Sequence, residues 1–95
     1  VHYRKVKIGD AYIDALLMEL THKNLIVLNG RKGYVMCGYL DLKTAEACGD
    51  VAVKITGVST IAAALRAKVY ACTSKAKALG MHKGQPVREV LKIIA

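Results

Sequence analysis

Cys37 is the residue whose chemistry reaches furthest beyond packing, a thiol set in Gly33-Tyr34-Val35-Met36-Cys37-Gly38-Tyr39-Leu40-Asp41. A cysteine in a glycine-bordered segment could act as a nucleophile, with Tyr34 and Asp41 beside it at a candidate site. Such work needs the thiolate, and so a base or cation close by and partial exposure. In the hairpin register of this segment, His22 falls four pairs from Cys37, which at ~3.4 Å per residue lies beyond hydrogen-bond reach. Flanked by Val35, Met36 and Ile26, Cys37 is expected to be a buried structural thiol. His82 is a further partner that only the fold can place.

A second candidate is Gly80-Met81-His82-Lys83-Gly84 ahead of Pro86. Two glycines allow a tight turn, a helix N-terminus presents free amides, and His82, Lys83 and Arg88 would add charge around an anion. The competing reading is a plain helix connection, with Gly80 ending one helix and Gly84 as a spacer. It is preferred because Pro86 removes an amide donor.

Other chemistry is weakly signalled. His2, His22, His82 and the three cysteines show no paired spacing of the zinc kind, so no metal is expected. The seven acids are scattered, and Asp41 explains itself as a helix cap. Neither Gly-x-Gly-x-x-Gly nor Gly-x-x-x-x-Gly-Lys-Ser/Thr occurs, so nucleotide folds are not indicated and no cofactor is expected.

The elements that must position these residues fit one domain, 1–95. An apolar fraction of 54% with mean hydropathy +0.28 excludes disorder, because burial can offset the ordering entropy. The apolar runs are far shorter than the ~18 residues that cross a bilayer, so a soluble protein is expected. Three cysteines, an odd number with no Cys-x-x-Cys pair and no dense spacing, read as free thiols in a reducing cytoplasm. No charged-then-apolar leader opens the chain, although a native N-terminus lost ahead of Val1 would leave the location open.

Charge is uneven. Fifteen Lys and Arg against seven Asp and Glu give +8, yet residues 1–50 hold seven bases and six acids. Residues 51–88 hold Lys54, Arg66, Lys68, Lys75, Lys77, Lys83 and Arg88 with no acid. Such a stretch attracts phosphate ligands, nucleic acid or an acidic partner, although a solvated surface is the plainer reading.

Gly9-Asp10 suits a type II′ turn between strands His2 to Ile8 and Ala11 to Leu20. Ile13, Leu16, Leu17 and Leu20 have helical spacing, so periodicity alone makes the second of these a helix. Asn24 to Asn29 and Tyr34 to Leu40 flank Gly30-Arg31-Lys32-Gly33 and read as a second hairpin. A turn centred on Arg31-Lys32 sets Asn29 opposite Tyr34, Ile26 opposite Cys37 and His22 opposite Asp41. Tyr34, Met36 and Leu40 then share one face, and Val35, Cys37 and Tyr39 the other. Both faces are apolar and the helices can cover only one, which predicts a second copy on the other.

Asp41 caps a helix from Leu42 to Cys48 that Gly49 closes. Val51 to Val58 reads as a strand. Ser59 or Thr60 caps a helix to about Ala67, a third runs from Thr73 to Leu79, and a last one carries Pro86 at its first position. The expected class is α+β: a small antiparallel or mixed sheet built from two N-terminal hairpins, with short helices in the C-terminal half.

Three segments, Gly33 to Asp41, Gly57-Val58-Ser59-Thr60-Ile61 and Leu79-Gly80-Met81-His82-Lys83-Gly84, together resemble the YunC-like family of small bacterial and archaeal proteins of unknown function. The match runs in order over nearly the whole chain. What the resemblance implies is a small α+β domain in which Ala11 to Leu20 is a strand; it implies no activity.

The function expected from these readings is a non-enzymatic module for binding or scaffolding that forms a homo-oligomer. The alternative is a binder of a phosphate-bearing ligand or nucleic acid through 51–88, with nucleic acid not favoured. A small enzyme built on Cys37 ranks third.

Overall fold

The computed structural model describes every residue except Tyr39, and the elements counted below are those of the described residues. Strands β1 (His2–Ile8) and β2 (Ala11–Glu19) form a hairpin paired from Ile8↔Ala11 to His2↔Leu17. Gly9 has φ 61°, the sign a type II′ turn requires at its first central residue. That turn and the pairing on both sides hold β2 extended against its helical spacing, so Ile13, Ala15 and Leu17 enter the core together.

Strands β3 (Asn24–Asn29) and β4 (Tyr34–Met36) make the second hairpin. The Gly30 amide donates to the Gly33 carbonyl at 2.8 Å, Asn29 pairs with Tyr34, and the Cys37 amide donates to the Ile26 carbonyl at 3.2 Å. The expected register therefore holds as far as Cys37. Beyond it, β4 ends and Asp41 turns away to cap a helix, so His22 and Asp41 do not pair. The expectation for Tyr39 lies outside the described residues.

Helix α1 (Leu42–Cys48) has the expected caps: Asp41 accepts from the Lys43 amide, and Gly49 is left-handed at φ 74°. It leads into β5 (Ala52–Lys54), which lies parallel to β4, with Tyr34 paired to Ala52 and Met36 to Lys54. This strand is shorter than the Val51 to Val58 run. After the Ile55 amide bonds the Met36 carbonyl at 2.8 Å, Gly57 at φ 72° turns the chain away.

Helix α2 (Ile61–Leu65), capped by Thr60, stops short of Ala67. Strand β6 (Ala71–Cys72) follows, antiparallel to β5, and it has no counterpart among the expected elements because so short a strand shows no period. Helices α3 (Ser74–Ala78) and α4 (Val87–Ile94) complete the chain, with Pro86 as the N-cap of α4 and not its first helical residue.

The fold is mixed α+β: a six-stranded sheet in order β1-β2-β3-β4-β5-β6, antiparallel except between β4 and β5. On one face Ile13, Leu28, Val35, Val53 and Ile55 pack with Ala64 of α2, Ala76 of α3 and Val87, Val90, Leu91 and Ile94 of α4. Each large side chain there contributes about 1.5–3 kcal/mol by leaving water. The Lys32 amide donates to the Ile94 carbonyl at 2.8 Å, an approach so close that a Cβ at Gly30 would collide with that carbonyl.

On the other face, Met36, Ala45 and Ala52 form a small second cluster with Tyr34, Leu40 and Leu42. The chain's own α1 thus covers the second face of β4 and β5, which corrects the expectation that the helices cover only one. Exposed apolar side chains include Tyr3 at 59%, Tyr12 at 55% and Met18 at 37% on the outer side of the first hairpin, with Tyr70 and Leu79 exposed elsewhere. Among the described residues no helix is long and apolar enough to cross a membrane.

Candidate functional site

Strands β4 and β5 are the parallel pair, and connections leaving the carboxyl ends of parallel strands part to leave a crevice where ligands lodge. Here that end opens into a cavity of about 680 Å³. Three segments line it: His22 to Asn24 entering β3, Cys37-Gly38 leaving β4, and Thr56 to Ser59 leaving β5.

Cys37 is 4% exposed. Its Sγ accepts a hydrogen bond from the Ile26 amide at 3.3 Å and donates to the Asn24 carbonyl at 3.9 Å. The Asn24 side chain in turn donates through Nδ2 to the Ser59 carbonyl at 2.8 Å, tying two walls together. The thiol is a hydrogen-bonded, buried wall of the cavity.

His22 lines the same cavity as Cys37, while the hydrogen bonds of the thiol go to the Ile26 amide and the Asn24 carbonyl. The β3–β4 ladder ends where the Cys37 amide bonds the Ile26 carbonyl, and the Leu20 amide bonds the Lys23 carbonyl at 3.1 Å in the turn that holds His22 and Lys23. Lys23, Asn24 and the 56–59 loop were absent from the sequence candidates. For Gly57 to Ser59 the available signal was the family resemblance; for Lys23 and Asn24 there was none.

Tyr34 and Asp41 do not share this cavity. Pleat alternation sends Tyr34 to the α1 face, where it and Asp41 border a smaller hollow of about 270 Å³. The Tyr34 hydroxyl donates to Asp50 Oδ2 at 2.8 Å, and burial first, then this bond, push its pKa up to about 12. Asp41 accepts from the Lys43 amide at 2.9 Å and the Thr44 hydroxyl at 3.0 Å, bonds that hold its carboxyl below the usual range.

The residues His82, Lys83 and Arg88 lie at the α3–α4 connection, and His82 does not line the Cys37 cavity. The amides there close the connection itself: Gly84 donates to the Val69 carbonyl at 2.8 Å, Val87 to the Ala67 carbonyl at 2.9 Å and His82 to Gln85 Oε1 at 3.2 Å. The Lys83 ammonium sits 5.6 Å from the Tyr70 ring centroid. This is the geometry of a bonded helix connection. Among the described residues, no group of three or more His, Cys, Asp or Glu side chains is placed to hold a metal ion.

Fold and cavity together define a small α+β domain with a hollow of ligand size at the end of its parallel pair. The chain belongs to the family described as a domain of unknown function (DUF1805), whose pattern matches residues 36–94 and so includes the Cys37-Gly38 and 56–59 walls. It is similar to the crystal structure of a protein of unknown function from Thermoplasma acidophilum, at 32% identity over 99% of this chain and 92% of that one, with a TM-score of 0.95. Among curated proteins no relative matches.

Proposed function

We propose that the chain is a non-enzymatic binding module, one domain over residues 1–95, that holds a small molecule in the cavity at Cys37. The observation that carries this reading is the cavity itself. Its volume of about 680 Å³ falls within the range of small-molecule sites, and it stands where parallel strands leave room for a ligand. Cys37 serves there as a wall, since its burial and two hydrogen bonds suit packing better than attack.

The YunC-like resemblance supports the reading, because two of the three segments that carry it supply cavity walls, and we place the chain in that group. Three free thiols suit a reducing cytoplasm. Nucleic acid is not favoured as a partner: the bases of 51–88 are spread over β5, the end of α2, α3, α4 and the connections that hold Lys68 and Lys83, and do not line one element.

A library of small neutral, cationic and anionic compounds, screened by amide chemical shift, tests the proposal. Binders are expected to move the Gly38, Gly57 and Ser59 amides. Gly38→Leu should abolish this while keeping the native melting temperature, since a Cβ at Gly38 meets no atom within 4 Å. Binders that map elsewhere, or bind Gly38→Leu equally well, would overturn it.

A second reading, self-association, rests on Tyr3, Tyr12 and Met18 exposed on one side of the first hairpin, with Leu16 and Val27 half-buried beside them. A stable interface needs about 800 Å² from each partner. Light scattering at low micromolar concentration should then exceed the 10.3 kDa of one chain; a clean monomer removes this reading.

A further inference from the structure

Resting on the cavity reading, we infer that the ligand is a small organic anion, its charged group at the His22–Lys23 rim and its short apolar body against Cys37 and Val58. The lining carries the bases His22 and Lys23 and no acid. Its third wall, Thr56 to Ser59, is uncharged, so the charge at the cavity comes from the His22–Lys23 rim and favours an anion there.

The polar groups at the opening are exposed, and among the described residues they have no internal partner. Among the described residues, the His22 ring, the Lys23 ammonium and the Thr56 and Ser59 hydroxyls have no hydrogen-bond or ion-pair partner within the chain. Among the described residues, the backbone amides of Gly57, Val58 and Ser59 are unpaired as well. The Tyr34–Asp50 and Asp41–Thr44 groups by the second hollow are satisfied, and so are the amides of the α3–α4 connection. Unlike both, the Cys37 cavity sets unpartnered donors around an opening.

Size and lining set the rest of the ligand. A bare inorganic anion leaves most of about 680 Å³ unfilled, while Val58 and the buried Cys37 offer it nothing to bond. The thiol proton is already directed at the Asn24 carbonyl. An aliphatic or similarly compact apolar portion fills that inner part, and a carboxylate or phosphate group reaches the rim donors.

The test titrates the full chain with butyrate, butyl phosphate, butyramide and inorganic phosphate, following the Gly38, Gly57 and Ser59 amides. The two organic anions should bind about tenfold tighter than butyramide, as expected for charge-assisted bonds at a partly open site. Lys23→Gln should erase that advantage and leave butyramide binding unchanged, while Arg88→Gln should have no effect. Whichever organic anion binds tighter identifies the headgroup as carboxylate or phosphate. Equal binding of butyramide at these amides overturns the anion and leaves the cavity reading standing. Inorganic phosphate binding as tightly as butyl phosphate overturns the apolar body. If no probe moves these amides, the inference and the cavity reading both fall.

Discussion

The Asn24 side chain reaches across 35 residues to donate to the Ser59 carbonyl at 2.8 Å, joining the entry of β3 to the loop that leaves β5. Asn24→Ala removes the one side-chain bond between these two cavity walls among the described residues. A loss of about 1 kcal/mol is expected, as for one modest hydrogen bond. Amide exchange should quicken at Gly57 to Thr60 and stay unchanged in the β1–β2 hairpin. Equal exchange at both places would show that the bond does not hold the loop.

The three thiols differ in access: Cys48 is exposed, while Cys37 and Cys72 are buried. A soluble disulfide reagent should label Cys48 quickly and the other two only as the chain unfolds. Cys37→Ala should cost about 1 kcal/mol, because little volume is lost. Rapid labelling of native Cys37 at neutral pH would favour the enzyme reading that ranks third.

Tyr34 sets an alkaline limit. Its pKa stands at about 12, above the ordinary tyrosine value of 10.0, chiefly through burial and then through the bond to Asp50. Folding therefore favours the protonated phenol. The stabilisation is full below pH 10 and is lost as pH rises toward 12, where the unfolded chain has released a proton that the folded chain keeps. Ultraviolet titration should show a late tyrosinate step that Tyr34→Phe removes, and Tyr34→Phe should lose less stability across that interval.

Glu46 sets an acid limit. Its Oε1 accepts from the Ser74 hydroxyl at 2.7 Å and the Ser74 amide at 3.0 Å, joining α1 to the first turn of α3. The hydroxyl bond first, then the amide bond, hold its carboxyl below the usual glutamate range. This stabilisation is present above that range and is lost as pH falls through the lowered folded value. Glu46→Gln should flatten the acid side of the stability curve; an unchanged acid slope would show the bond to be inert.

What the sequence made legible was local. Asp41 and Gly49 bound α1 correctly because a cap is a contact between neighbours, and the four-residue turn at Gly30 set the second hairpin's register through Cys37. Strand β2 was ambiguous, since its helical spacing yields only to pairing on both sides. The nonlocal features were hidden. The parallel pairing of β4 with β5, the cover that α1 gives Met36, and the place of His22 on the cavity that Cys37 lines all depend on where the chain bends in space.

Strand order matches chain order from β1 to β6, so during synthesis each strand finds its neighbour already made. Loop closure is then inexpensive, because only β4 to β5 needs a crossover. The helices that cover Ile13, Leu28 and Val35 nevertheless come afterwards, and α4 joins the Gly30–Lys32 turn last. On the ribosome, the nascent sheet therefore shows a bare apolar face until α4 emerges, and that interval is when a chaperone would find the most to hold.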